Sequence, residues 1–293
     1  MPSNPWKEFV AAFAANRVAL AGCAVLLVVM LTAVFAPLAA PQNPYDLGLL
    51  NLEDTKLAPG TRSAVTGAVH LFGTDEQGRD MLSAIMYGLR TSLWVGFVAT
   101  VLAFVIGSTL GLLAGCVGGR LDALLMRVAD IQLSFPAILI ALILVAVLGQ
   151  GVGKIITALV GVQWAFYART ARGAALVERN KEYVEAATGL GLSRARIISC
   201  HVLPNCMAPL IVVAALQVAS AITLEATLSF LGVGLPITEP SLGLLIANGF
   251  GQMLSGKYWI SIYPGLALLL TIVAINLVAD QLRDVLNPRL QTV

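Results

Sequence analysis

Five stretches of this chain run for more than 20 positions without a charged residue: 18–40, 91–119, 131–153, 202–224 and 258–279. Each exceeds the ~20 apolar residues needed to cross a hydrocarbon core as a helix. A sixth stretch, 155–168, has only 14 uncharged residues. It reaches full length as a span if Arg169 and Arg172 extend their stems toward lipid headgroups. Composition agrees with repeated membrane crossing. The 293 residues are 58% hydrophobic and 12% charged, against about 25% charged in soluble domains, and mean hydropathy is +0.86. Too few polar side chains exist to cover a water-exposed surface. A net charge of +2, without a basic tail or charge block, gives no sign of nucleic-acid binding.

Basic residues set the orientation. With six spans and both termini in the cytoplasm, Lys7, Arg17, Arg120, Arg127, Arg169, Arg172, Arg179, Lys181, Arg194, Arg196, Arg283 and Arg289 lie inside. That is 12 of the 18 Lys and Arg residues. Lys56, Arg62, Arg79, Arg90, Lys154 and Lys257 lie outside, four of them in or beside one long loop, where the positive-inside rule is weaker. The 18–40 run is longer than a secretory h-region and reads as an uncleaved anchor, although "FAPLAAPQNP" resembles a cleavage region. Cys23, Cys116, Cys200 and Cys206 form no CxxC and read as reduced, passive thiols.

Local patterns fill in the connections. Trp6, Phe9, Val10 and Phe13 have helix spacing and predict a lead helix lying on the inner membrane surface. In the outer loop, Thr74 or Asp75 is placed to cap a helix starting near Glu76. Gly107, Gly111, Gly115 and Gly119, each four apart, make a ridge that lets another helix come close. Pro136 is expected to kink the third span. Residues 240–256 read as an outer loop with a short interfacial helix.

Catalytic signatures are missing. "GQGVGKI" (149–155) fails as a phosphate loop, because Leu148 holds the first glycine position and Ile155 replaces the magnesium-ligating hydroxyl. There is no HExxH or GxSxG. The chain is therefore expected not to be an enzyme and to bind no cofactor, and any energy for transport comes from a partner or an ion gradient.

The most specific segment is "EAATGLGLSRARIISCHVLPN" (185–205). It reads as a helix, a glycine-rich break at 189–191, a second basic helix, and a span starting at Pro204. It resembles the EAA motif of ABC importer permeases: Glu-Ala-Ala, three residues, Gly, nine residues, Ile, one residue, Leu-Pro. Glu185, Ala186, Ala187, Gly191, Leu203 and Pro204 match in register, and His201 replaces the Ile. "FGTDEQGRDMLS" (72–83), "RLDALLMRVADIQLSFPAIL" (120–139) and "LEATLSFLGVG" (224–234) resemble the dipeptide/oligopeptide/nickel subgroup, and most closely its C-type subunit. The loop "GLPITEPSLG" (234–243) departs from that subgroup by lacking a Trp.

The resemblance implies an all-α membrane protein with six transmembrane helices of the type I importer kind. Residues 1–17 would be a cytoplasmic segment, 18–40 the first helix and 41–90 an external loop. Residues 91–279 would be a five-helix permease domain with a cytoplasmic EAA loop at about 169–206, and 280–293 a cytoplasmic tail. It further implies a bacterial inner-membrane subunit paired with a second, homologous permease. Two ABC ATPase subunits, which use ATP and Mg, and an extracytoplasmic substrate-binding protein would complete the importer. Di- or oligopeptides are the expected cargo, although relatives carry nickel chelates, glutathione, opines and oligosaccharides. Residues 185–191 would be the coupling lever. On the fifth span Gln217, Ser220 and Glu225 are candidates for the pathway. Glu225 has two readings, a gate residue or a structural carboxylate bonded to a neighbouring helix. The competing functional class is a channel or secondary carrier working alone, which predicts internal repeats and charged residues at mid-membrane.

Overall fold

The computed structural model describes residues 5–46, 48, 50–236 and 238–286. Arg289 and the rest of the expected tail beyond 286, and the first four residues of the lead segment, lie outside them. Helix dominates. The lead helix α1 (Pro5–Ala14) is followed by α2 (Arg17–Val34) and the short α3 (Ala36–Ala39). Asn16 caps α2 by accepting from the Val18 and Ala19 N–H groups. Its amide donates to Gln281 Oε1 at 2.7 Å, and the Gln281 amide donates to the Ala12 carbonyl at 3.2 Å. The start of the first span is thereby tied to the end of the last one.

The segment between α3 and the next long helix is folded. A hairpin of β1 (Thr61–Arg62) and β2 (Val69–His70) pairs Thr61 with His70. Beyond it runs α4 (Met81–Val117), capped by Asp80, whose carboxylate accepts from the Ser83 N–H and hydroxyl and meets His70 Nδ1 at 3.0 Å. The expected cap at Thr74 or Asp75 and helix start near Glu76 are thus displaced. Asp75 is engaged by Arg79 Nε at 2.6 Å and by the N–H groups of Gln77 and Arg79, while the Thr74 hydroxyl donates to the Asp54 carbonyl. Gly78 turns the chain at φ +77°, a conformation no helix interior contains.

From α4 the chain passes to α5 (Gly119–Leu133), α6 (Ala137–Leu148) and α7 (Val152–Glu178). Instead of one kinked span over 131–153, α5 and α6 are separate helices meeting at 96°. Pro136 has no N–H to continue the ladder and pushes Phe135 away from helical geometry. Ser134 closes α5 by donating its hydroxyl to the Asp130 carbonyl at 2.7 Å.

Three glycines of the predicted ridge sit in the α4–α7 seam. A Cβ on Gly107 would stand 2.2 Å from the Trp164 carbonyl oxygen, and one on Gly111 2.2 Å from that of Ala168. On Gly115 it would meet Ala175 Cβ at 2.7 Å. Gly119 is no part of the ridge: it begins α5 at φ +63° with nothing within 4 Å of a Cβ. Helix α7 is sheltered, with Ile155, Leu159, Tyr167, Ala168 and Ala171 fully buried. Its arginines meet carboxylates. Arg169 pairs with Asp130, and Arg172 Nη2 donates to Asp122 Oδ2 at 2.7 Å, both on α5. Gln132 adds amide bonds to the Gly161 and Val162 carbonyls and accepts from Trp164 Nε1 at 2.6 Å.

After α8 (Glu182–Gly189), the short α9 (Arg194–Ile197) continues through a π turn (Ile198–Val202) into α10 (Leu203–Phe230). The expected separate basic helix and span are therefore one rod, Arg194–Phe230, of 37 residues. The π turn lies directly before Pro204, whose ring excludes the regular bond to residue i−4. The outer helix α11 (Leu242–Phe250) abuts α12 (Trp259–Leu286), where a Cβ on Gly249 would lie 2.4 Å from the Ser261 nitrogen.

Among the described residues four helices are long and apolar enough to cross a membrane: α2, α4, the Arg194–Phe230 rod and α12. The bent α5–α6 pair makes a fifth if counted as one span. Helix α7 has the length, 27 residues or about 40 Å, but not the apolarity.

Replacing Gly111 by Val is expected to force α4 and α7 apart. Overpacking of this kind costs roughly 1–3 kcal/mol. The thermal aggregation midpoint of the purified protein should drop, while Gly119→Ala changes it far less. Equal midpoints for Gly111→Val and the parent would contradict the seam.

Candidate functional site

The 185–205 segment folds as a small docked unit. One face of α8 carries Val184 and Ala187, which are buried against Ile197, Val202 and Cys206 and against the inner ends of α4 and α7. Its stop is a Schellman cap. The Gly191 N–H donates to the Thr188 carbonyl at 3.0 Å and the Leu192 N–H to the Ala187 carbonyl at 3.2 Å. Gly191 takes φ +75° to make this possible, and Leu192 packs into the same cluster as Ala187. The spacing from Ala187 to Gly191 is the spacing that this cap demands.

A second tie fixes the approach to α8. Glu178, at the end of α7, accepts from Lys181 Nζ at 2.6 Å and from the Tyr183 hydroxyl at 2.5 Å. Burial and the Glu178 carboxylate push the Tyr183 phenol up to about 12, so the proton stays on Tyr183 at any physiological pH.

The six predicted coupling residues divide into two groups. Ala187 is buried and Leu203 half-buried, and both hold the unit together. Glu185, Ala186, Gly191 and Pro204 are exposed. Leu190, which sequence reasoning passed over, is 82% exposed. It stands at the C-cap of α8, one turn on from the exposed Ala186. Its signal was available: a large apolar residue inside a glycine-rich break has no core to enter.

The three predicted pathway residues are not brought together. Glu225 is 0% exposed. It accepts from the Ser92 hydroxyl of α4 at 2.8 Å and from the Ser229 hydroxyl one turn on at 2.8 Å. That is the structural alternative: a carboxylate joining two helices, away from the surface of this chain. Gln217 is also buried, beside the Gln163 amide that donates to its backbone carbonyl at 3.0 Å. Ser220 alone faces outward. It shares its face with Leu216, Thr223, Thr227 and Phe230, spaced four, three, four and three apart. The threonine hydroxyls donate to the Ala219 and Thr223 carbonyls, so the stripe presents methyl groups as well as oxygen.

The chain was compared with known proteins. Residues 107–292 match the family described as binding-protein-dependent transport system inner membrane component. Residues 4–59 match the N-terminal TM domain of oligopeptide transport permease C. The di/tripeptide transport system permease protein DppC of Pseudomonas aeruginosa is 40% identical over 98% of this chain and 93% of that protein. The dipeptide transport system permease protein DppC of Escherichia coli is 41% identical over 99% and 95%. The probable D,D-dipeptide transport system permease protein DdpC of Escherichia coli is 40% identical over 90% and 85%. In fold, the chain is similar to a chain of the MetNI methionine ABC transporter in an inward-facing form. The TM-score is 0.56 at 18% identity, covering 71% of this chain and 98% of that one.

If Glu225 is a latch between α4 and α10, Glu225→Gln keeps a partner for both serines and retains transport. Glu225→Leu leaves the Ser92 and Ser229 hydroxyls unpartnered, at about 1–3 kcal/mol each, and lowers the amount of folded protein. A Glu225→Gln protein that folds normally but transports nothing would show a gate instead. Folded yield together with uptake in cells separates the two.

Proposed function

The chain belongs to the family of binding-protein-dependent transport system inner membrane components, a multi-pass permease of the bacterial inner membrane, and from that premise we propose that it forms half of an ATP-driven import pathway for di- or oligopeptides. The cargo is that of the relatives, which are dipeptide and di/tripeptide permeases. The lone channel or secondary carrier is the weaker reading, because the family takes its cargo from a binding protein.

In this reading six helices cross the membrane, with α7 and the α5–α6 pair completing the count and both termini in the cytoplasm. A second, homologous permease faces the α10 stripe around Ser220. Two ATPase subunits sit below and use ATP and Mg; this chain binds neither. An extracytoplasmic binding protein delivers peptide against the folded outer loop.

The observation that carries the proposal is the shape of α8. Its inner face is fixed to the spans through Val184 and Ala187, and its outer face presents Glu185, Ala186 and Leu190. A short, capped helix carrying an exposed carboxylate and an exposed leucine is a docking knob, suited to a groove on an ATPase. Because α9 runs on through the π turn into α10, a push on this unit reaches the pathway helix along one continuous chain of helix.

Glu185→Lys and Leu190→Asp should leave the protein inserted and lower peptide uptake by between about 5- and 150-fold, the range of a 1–3 kcal/mol coupling. Basal ATPase activity of the purified complex should persist while its stimulation by loaded binding protein is lost. Gly191→Val forces a β-branched residue to φ +75°, breaks the cap and should act in the same direction. Wild-type uptake of labelled dipeptide by all three variants in a deletion strain would overturn the proposal.

A further inference from the structure

A groove of about 980 Å³ lies between α2, α4, α10 and α12, apart from the coupling helix and the Ser220 stripe. Its walls are apolar: Leu26, Met30, Trp94, Phe97, Ala215 and Val218. Polar groups occur only at one end, where Tyr45, Arg90, Thr91 and Glu239 form the rim. This is the end at which α2 and α10 finish and α4 enters the bilayer.

The depth follows from helix geometry. Ser92 and Glu225 lie at one level, since they are hydrogen-bonded. Ala215 is ten residues below Glu225 on α10, and a helix rises 1.5 Å per residue, so the α10 wall of the groove descends roughly 15 Å from the rim. A hydrocarbon core is about 30 Å thick. Polar groups stand at one end, and the apolar walls run on past mid-membrane to Val278, three residues before the Gln281 that meets Asn16; a single phospholipid would fill the rim-side part.

The rim carries one cation and one anion. Among the described residues neither Arg90 nor Glu239 forms an ion pair, although other charges along the chain do. Arg90 stands beside Thr91, whose hydroxyl donates to the Tyr87 carbonyl at 3.1 Å and lies 3.4 Å from that of Tyr45, so the guanidinium is the donor the rim offers. An unpaired guanidinium suits a phosphate diester. A carboxylate at the same rim suits an ammonium that can donate hydrogen bonds.

We infer that this groove is a binding site for one phospholipid with a phosphoethanolamine headgroup, its phosphate on Arg90, its ammonium on Glu239 and its acyl chains against Trp94, Phe97 and Met30. Both charges are needed. An anionic headgroup would leave Glu239 opposed to like charge, and a choline headgroup has no N–H to give it. The site is independent of the coupling role of α8 and stands or fails without it.

The test uses the whole importer, isolated with its partner chains in lipid nanodiscs, with bound lipid measured by native mass spectrometry. In a mixture of phosphatidylethanolamine, phosphatidylcholine and phosphatidylglycerol, the parent complex should retain phosphatidylethanolamine selectively. Arg90→Gln should weaken retention about tenfold, the loss of one charge-assisted hydrogen bond. Glu239→Gln should shift the preference toward phosphatidylglycerol, because only the cation remains. Ala215→Trp, which fills the groove and keeps both charges, should also remove the lipid. Two results would overturn the inference: retention that is indifferent to all three substitutions, or a Trp94→Cys variant that crosslinks to the second permease in place of contacting lipid. The second result would make the groove a seat for a partner helix.

Discussion

Backbone-to-backbone contact between α4 and α7 is the constraint from which the rest of the bundle follows. In hydrocarbon no hydrophobic force draws helices together, so they associate through close packing and polar contacts. Gly107, Gly111 and Gly115 bring α4 against the carbonyls of Trp164 and Ala168, a distance that no side chain permits. Close contact with α4 shelters α7 from lipid. A sheltered helix can carry charge, and α7 uses Arg169 and Arg172 to hold α5 through Asp130 and Asp122. The amphipathic α5 then positions the inner ends of α4 and α7, which form the floor on which α8 rests.

This order of dependence explains which parts of the fold could be read from sequence. Apolar runs located α2, α4, α10 and α12 because lipid-facing helices must be apolar along their whole length. The α4 ridge was legible because small residues four apart have few other uses. Helix α7 was the hardest to recognise for the same reason that it is central: its neighbours cover it, so nothing required it to be apolar. The sequence also could not say whether Arg169 and Arg172 face lipid headgroups or carboxylates on α5, since that choice depends on the 96° bend, a tertiary fact.

The candidate site divides the same way. The register from Glu185 to Pro204 was visible, and the cap at Gly191 supplies its physical reason. Local rules of this kind survive folding because they involve neighbours in the chain. The α10 trio did not survive as a group, because Gln217 and Glu225 face α7 and α4 while Ser220 faces away. Residues 217, 220 and 225 span an arc of about 140° on a helix of 3.6 residues per turn. Only the placement of neighbouring helices decides which of them meets a partner. The cap of α4 moved from Asp75 to Asp80 for a related reason: the stronger claim of Arg79 on the Asp75 carboxylate is invisible to a rule that looks only three residues ahead.

The π turn between α9 and α10 gives the Arg194–Phe230 rod an uneven stiffness. At its outer end the rod is clamped, with Glu225 bonded to Ser92 and Ile222 set against Gly96. At its other end Val202, Cys206 and Leu210 are buried against α4, α7 and the exposed unit, so the rod of about 55 Å is held at both ends. Load applied through that unit concentrates bending where the regular backbone bonds are interrupted, at residues 198–202 and again at Pro209. Residues 198–209 would yield while the stretch around Glu225 stays put, so that one continuous helix combines a compliant end with a rigid one.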